Sequence, residues 1–469
     1  MVDDEPRHRH DSNPDPRRRR SAAAAIRKPA LGRAPLTSAW GAAAAAANPS
    51  QRRYGRPTPF LALLAIALLA LPSLAAAQRR APLCVATEVR RLVSAPHPTR
   101  SAVDRAVAVP LRTPRDGVAF VMASRGLGAA PGITVLRVGR DLSRVGEAVF
   151  VPDPAAVTDA PPGLAVGVSV DAGALILQRV AGDLYATVVP SSGAVPAPTR
   201  VAASPSPTRD GRGGFAWLTA VARDAGDAHG AIALAGTDDG IVVALRFDGN
   251  GRLSGENLQW GPRVGGAMRL LPSLEGTSPS ALLERPVRGT TTSGEQAREQ
   301  VLVRLSDTLE PVGEPARLGL GPDLTAVSVQ GRRLVVTQWA ESRGLALAAL
   351  TPNGNTLQPE APRVWTTQPF EGAPVGHALT EGTHGELYDL ALNVDDVGGA
   401  THAYLTYIPP AGTPFPRRDV IPTRGRVIAA PALVPADDGV VAVLASDDEV
   451  GAGLDAVHLR CELVSLPER

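Results

Sequence analysis

The stretch Ile241-Val-Val-Ala-Leu-Arg-Phe-Asp-Gly-Asn-Gly-Arg-Leu-Ser-Gly255 decides the fold class. Its first seven residues are an apolar run with a period of two, the pattern of a β-strand with a buried face. Asn250-Gly251 then supplies the positive φ that a tight hairpin demands. A second short strand, entered through glycine, completes the unit.

Six more segments follow the same plan. They are Ile133–Glu147, Leu184–Pro196, Val301–Gly313, Leu345–Pro359 (with a second Asn-Gly turn at Asn353-Gly354), His402–Pro414 and Asp455–Leu463. The seven copies begin 51, 57, 60, 44, 57 and 53 residues apart. Two further strand-like runs lie between copies, such as Phe215–Val221 with Ala231–Ala235, or Leu324–Val329 with Arg333–Trp339. Capped segments of helical period are absent after residue 80.

Four strands in roughly 54 residues resemble a blade of the seven-bladed β-propeller superfold, over about residues 82–466. The resemblance implies an all-β chain, a seven-bladed β-propeller with four-stranded blades. The seventh copy ends before its outer strand, and Cys84–Val93 supplies a run of suitable length. An N-terminal strand in the last blade then leaves no open edge. It also brings Cys84 and Cys461 onto adjacent strands, within disulfide reach. The likeness stops at architecture. The Gly-His and Trp-Asp pair of WD40 blades, a regular kelch pattern, the sialidase aspartate box, the integrin-type calcium repeat and the quinoprotein tryptophan motif are all missing, so no catalytic residue is carried over.

Aromatic residues make up only 4 % of the chain, so the core must come from Val, Leu, Ile and Ala. Residues 1–77 hold 12 Lys and Arg against 5 Asp and Glu, and the remainder 36 against 41. The body is therefore mildly acidic, which argues against nucleic acid as a partner. Lys28 stands alone among 47 arginines, which reads as codon bias.

Residues 1–57 are rich in Arg, Pro and Ala without a periodic apolar face, the composition of a disordered leader. Residues 58–77 read as a signal peptide or a signal anchor: Arg52, Arg53 and Arg56 precede an apolar run from Phe60 to Leu71, and Pro72 and Ala75-Ala76-Ala77 follow. Cleavage is expected after Ala77, leaving Gln78 as the first residue. The basic region is long for such a signal; either translation starts downstream of Met1 or the tail has its own role. In an exported protein, two cysteines at opposite ends read as one disulfide, the alternative being two separate buried thiols.

Chemistry is sparsely encoded. His377 and His384 flank an expected loop with Glu371, Glu381 and Glu386 nearby, where solvated polarity is a plainer account than a metal site. His458 beside Cys461 reads as packing. The doublets Asp238-Asp239, Asp395-Asp396, Asp437-Asp438 and Asp447-Asp448 suit calcium only if several share a rim; turn formation is simpler. Trp260 and Trp365 close their repeats, and Trp217 and Trp339 are expected in inner strands, all as packing. Residues 276–300 are expected to form a long exposed loop. Nucleophile elbow, phosphate loop and dinucleotide glycine pattern are missing. The expected inner strands (106–110, 164–170, 324–329 and 427–434) are almost wholly apolar, which favours binding over catalysis. The reading is an exported, monomeric binding or scaffold module, without a cofactor, for an unidentified extracytoplasmic protein, glycan or small molecule. An exported hydrolase or lyase with an axial funnel, and a structural protein anchored through residues 60–77, are the alternatives.

Overall fold

The computed structural model describes residues 80–465, apart from 95–102, 111–117, 125–131, 139–148, 153–164, 181, 206–213, 226–227, 262–265, 291–295, 322–323, 341–343, 366–372, 395–400, 411–417, 424, 428–430 and 449–450. The leader, the apolar run 60–77 and the expected cleavage point Ala77–Gln78 lie outside the described residues. Among the described residues no helix is long and apolar enough to cross a membrane.

The chain opens with β1 (Arg80–Ser94). Sheet I is β2 (Val103–Pro110), β3 (Val118–Ser124), β4 (Gly132–Val138) and β5 (Val149–Pro152). Sheet II is β6 (Ala165–Val170), β7 (Gly173–Val180), β8 (Asp183–Val189) and β9 (Thr199–Ala202). Sheet III is β10 (Phe215–Ala225), β11 (Ala228–Thr237), β12 (Val242–Phe247) and β13 (Leu258–Trp260). Sheet IV is β14 (Met268–Leu270), β15 (Ser280–Thr290), β16 (Gln296–Leu305) and β17 (Pro311–Leu320). Sheet V is β18 (Leu324–Gln330), β19 (Arg333–Ala340) and β20 (Gly344–Asn353), edged by β21 (Thr356–Pro359) and β22 (Arg363–Trp365). Sheet VI is β23 (Ala373–Glu381), β24 (Leu387–Val394), β25 (Thr401–Ile408) and β26 (Arg418–Ile421). Sheet VII takes β27 (Arg426–Val427), β28 (Ala432–Ala436), β29 (Gly439–Asp448) and β30 (Gly451–Ser465), and β1 pairs with β30 on its outer side.

Among the described residues all pairings are antiparallel, and the seven repeat copies fall on β4, β8, β12, β16, β20, β25 and β30, the third strand of each sheet when β27 and β28, which both pair with β29, are counted as one. The all-β class and the four-stranded antiparallel unit are as the alternation predicts. Gly251 (φ 71°) and Gly354 (φ 62°) turn the chain where the two Asn-Gly pairs stand. A Cβ at Gly251 would also lie 2.4 Å from Val188 Cγ2 of the neighbouring sheet.

Apolar cores lie between successive sheets. Phe215, Leu175 and Leu245 join II to III, and Met268, Ile232 and Val301 join III to IV. Leu302, Leu334 and Leu350 join IV to V, Trp339, Leu345 and Leu387 join V to VI, and Leu390, Leu405 and Val457 join VI to VII. Sheet I touches II through β2 and β6, and VII through β2 and β28. Hydrogen bonds across the seams repeat the sequence period. Asn257 Nδ2 donates to Val201 O across 56 residues, Gln330 Nε2 to Gly385 O across 55, and the Leu270 amide to Thr219 Oγ1 across 51.

Two expectations need correction. Residues 280–290 and 296–305 pair as two long antiparallel strands, β15 and β16, where a loop was expected over 276–300. Beyond Glu284 the two strands carry opposite charges in place of an apolar face: Arg285 pairs with Glu299 (2.7 Å) and Arg298 with Glu284 (2.5 Å). Cross-strand ion pairs support a ribbon without hydrophobic alternation. Trp339 belongs to the second strand of its sheet, β19, because the inner strand β18 starts at Leu324; Trp217 does sit in the inner strand β10.

Candidate binding site between two sheets

Cys84 stands directly opposite Cys461 in the β1–β30 register, and their sulfurs are joined. Toward the other end of the ladder Arg91 clasps Asp455, Nε to Oδ1 at 2.7 Å and Nη2 to Oδ2 at 3.1 Å. The same Nη2 donates to Ser446 Oγ (3.2 Å), and Ser446 Oγ donates to Asp455 Oδ2. Between these braces, Thr87 Oγ1 meets His458 Nδ1 (3.4 Å), and His458 Nε2 meets Asp438 Oδ1 (2.9 Å). His458, expected as packing, is thus a partly exposed link from β1 to the β28–β29 turn.

The remaining candidates are dispersed. Asp238 and Asp239 lie in the turn after β11, where Thr237 Oγ1 donates to Asp239 Oδ1. Asp437 and Asp438 lie between β28 and β29, and Asp447 and Asp448 are the last two residues of β29, before the turn into β30. In an antiparallel sheet the two ends of β29 point opposite ways, so Asp437-Asp438 and Asp447-Asp448 share no rim. Asp395, Asp396 and Glu371 lie outside the described residues. Among the described residues no group of three or more His, Cys, Asp or Glu is placed to hold a metal ion. Trp260 and Trp365 stand at matching places, opposite Val242 and Leu345 at the start of their third strands.

His377 and His384 do not meet. His377 is in β23, not beside a loop, because its strand continues to Glu381 before the tight turn into β24. Its imidazole, 1 % exposed, is turned to Asp389, 0 % exposed, with Nε2 donating to Oδ2 at 2.6 Å. Trp339 Nε1 donates to the other oxygen at 2.5 Å, and Thr337 Oγ1 lies 3.2 Å from His377 Nε2. Hydroxyl and carboxylate therefore meet the same ring nitrogen. A nucleophile–base–acid relay needs them on opposite nitrogens. The cluster is a brace across the V–VI seam, and His377 Nδ1 and Thr406 Oγ1 stay buried without a partner among the described residues.

His384 stands in the β23–β24 turn, its amide donating to Glu386 Oε2 (2.9 Å). Tyr388 donates its hydroxyl to Glu386 Oε1 (3.2 Å) and is 2 % exposed. Burial and then the Glu386 carboxylate push this phenol far above its ordinary range.

At the periphery of the same seam a cavity of about 300 Å³ opens. Strand parity builds it. Arg333 alternates with Val335 and Thr337 on β19, which pair with Ala349 and Leu347 of β20, and Arg363 of β22 pairs with Leu347. Directly paired residues share a face, so both arginines leave sheet V on the side turned to sheet VI. Leu387 and Ile408, paired with each other, face them, and Pro409 and Pro410 form the lip. Gln330 Oε1 accepts from Arg333 Nε (2.9 Å) and Nη2 (2.6 Å), while its amide is held by Gly385 O (2.6 Å). Glu360 is fixed by its amide to Ala349 O (2.8 Å). Among the described residues, neither Arg333 nor Arg363 is ion-paired to Glu360 or another carboxylate. Sequence reading missed this site because its residues are scattered over six strands and their connections; the only signal was arginine in otherwise apolar strand positions.

No protein-family model and no curated protein matches the sequence. Among solved structures, the chain is similar to AofleA from Arthrobotrys oligospora, with TM-score 0.40, 10 % identity, and coverage of 73 % of this chain and 90 % of that one. It is similar to the β-propeller domain of the Trilobed protease from Pyrococcus furiosus, with TM-score 0.41, 9 % identity, and coverage of 78 % and 96 %. It is also similar to a subtype N11 neuraminidase-like protein of A/flat-faced bat/Peru/033/2010, with TM-score 0.38, 11 % identity, and coverage of 82 % and 96 %. All three TM-scores lie below 0.5, and it is the chain's own strand pairing, not the likeness, that defines its architecture.

Proposed function

We propose that the chain is an exported, monomeric seven-bladed β-propeller that works as a binding module outside the cytoplasm, closed by β1 in its last sheet. The observation that carries this reading is β1 itself: fifteen residues from the start of the body pair with β30 and are locked there through Cys84 and Cys461. Among the described residues, seven sheets in chain order, seams that repeat the sequence period, and contact of sheet I with sheet VII all support a ring. A disulfide that persists suits an oxidising compartment, and cleavage of a signal peptide before Gln78 belongs to the same proposal. The apolar inner strands and the misarranged His377–Asp389–Thr337 cluster favour holding a ligand over transforming it.

Non-reducing peptide mapping of protein recovered from its own cells tests the proposal. The expected result is a new N-terminus at Gln78 together with a Cys84–Cys461 cross-link. An intact leader with two free thiols overturns it.

A further inference from the structure

We infer that the cavity between sheets V and VI is a binding site for a small apolar zwitterion, an α-amino acid with an aliphatic or aromatic side chain; this rests on the binding-module reading above. Each part of such a molecule has a counterpart. Arg333 is preset, since Gln330 holds two of its N–H groups and is itself anchored to Gly385 O, which leaves the other guanidinium donors for a ligand. Arg363 joins it from the edge strand. Two guanidiniums without a carboxylate partner on one cavity whose wall is part polar and part apolar are a carboxylate site, because the planar fork matches a carboxylate in two-point fashion. Glu360 on the same wall offers an acceptor for an ammonium group. Leu347, Leu387, Ile408 and the Pro409-Pro410 lip take the side chain. The volume, about 300 Å³, is at the lower end for ligand pockets, which suits a ligand of amino-acid size.

Isothermal titration of the whole exported chain with L-leucine, 4-methylpentanoate, L-leucinamide and a neutral monosaccharide tests the assignment. Leucine is expected to bind saturably at one site. Leucinamide, lacking the carboxylate, and 4-methylpentanoate, lacking the ammonium group, are each expected to bind at least about tenfold more weakly. Arg363→Met, on an exposed edge, is expected to lose about tenfold for leucine with an unchanged near-ultraviolet circular dichroism spectrum; Arg333→Met should lose as much. Glu360→Gln is expected to erase the preference for leucine over 4-methylpentanoate. Failure of leucine to saturate at millimolar concentration overturns the assignment, as does unaltered leucine affinity in Arg363→Met or binding of the monosaccharide alone. A chain that maps with Gln78 first and its cross-link intact, yet ignores leucine, loses the ligand assignment only. A chain with its leader and free thiols loses the exported-module reading whatever it binds.

Discussion

The outer strands of sheets III and VII differ fivefold in length, and the difference follows from where each comes from. β13 has three residues and is reached from β12 through one hairpin, so little closure entropy opposes its pairing. β1 has fifteen, and its cysteine is 377 residues away from the partner it meets. Bringing such distant segments together costs more entropy than closing a hairpin, and β1 carries the matching braces: a long ladder, a disulfide, the Arg91–Asp455 clasp and the Thr87–His458–Asp438 link. A strand delivered by its neighbour can be short. One delivered from the far end of the chain is long and pinned.

The strongest attempt to break this contrast is Cys84→Ser with Cys461→Ser. We expect a loss of about 4–5 kcal/mol in denaturant unfolding, the scale of a very long closed loop, with amide protection falling in β1 and unchanged in β13. Equal stability with and without the bond would mean that the ladder suffices. Next comes Arg91→Met, which strands the Asp455 carboxylate, 1 % exposed, beside Ser446 alone. A loss of about 3 kcal/mol is expected, largely recovered by adding Asp455→Leu, because removing both partners removes the unpaired buried charge. Leu258→Ala in β13 should cost only about 1 kcal/mol and leave β1 exchange untouched; a drop in β1 protection would show that the two outer strands are coupled.

The smallest effect is sought at Tyr388, which shares with Cys84 the core beneath β1. Its folded phenol titrates higher than the unfolded one, so its contribution is whole below the ordinary tyrosine value of about 10 and drains away as the pH climbs past it. Tyr388→Phe is therefore expected to show a shallower alkaline decline in a stability–pH series. An identical slope would assign that decline to other groups.

What was legible in the sequence was whatever alternates in place. Ile241–Phe247 and its six counterparts announce third strands because one buried face imposes a period of two, and Cys84–Val93 announces the added strand for the same reason. The ribbon of β15 and β16 escaped because Arg285, Glu299, Glu284 and Arg298 stabilise it by charge, which leaves no apolar rhythm. The V–VI seam escaped for another reason. Asp389 sits in the apolar run of β24, and only the fold reveals that Trp339 and His377 converge on it from two other strands. Arg333 and Arg363 likewise look like ordinary surface charges until strand parity turns both to one side.

The register of β1 on β30 also determines how this molecule answers a pull. Arg80 lies opposite Ser465, so a load drawn between these two points peels the ladder open rung by rung instead of shearing it. Four rungs in, at Cys84 and Cys461, the peeling meets a covalent bond. Tension drawn between these two ends is carried across that bond and does not reach the rungs beyond it, from Val85 to Ser94.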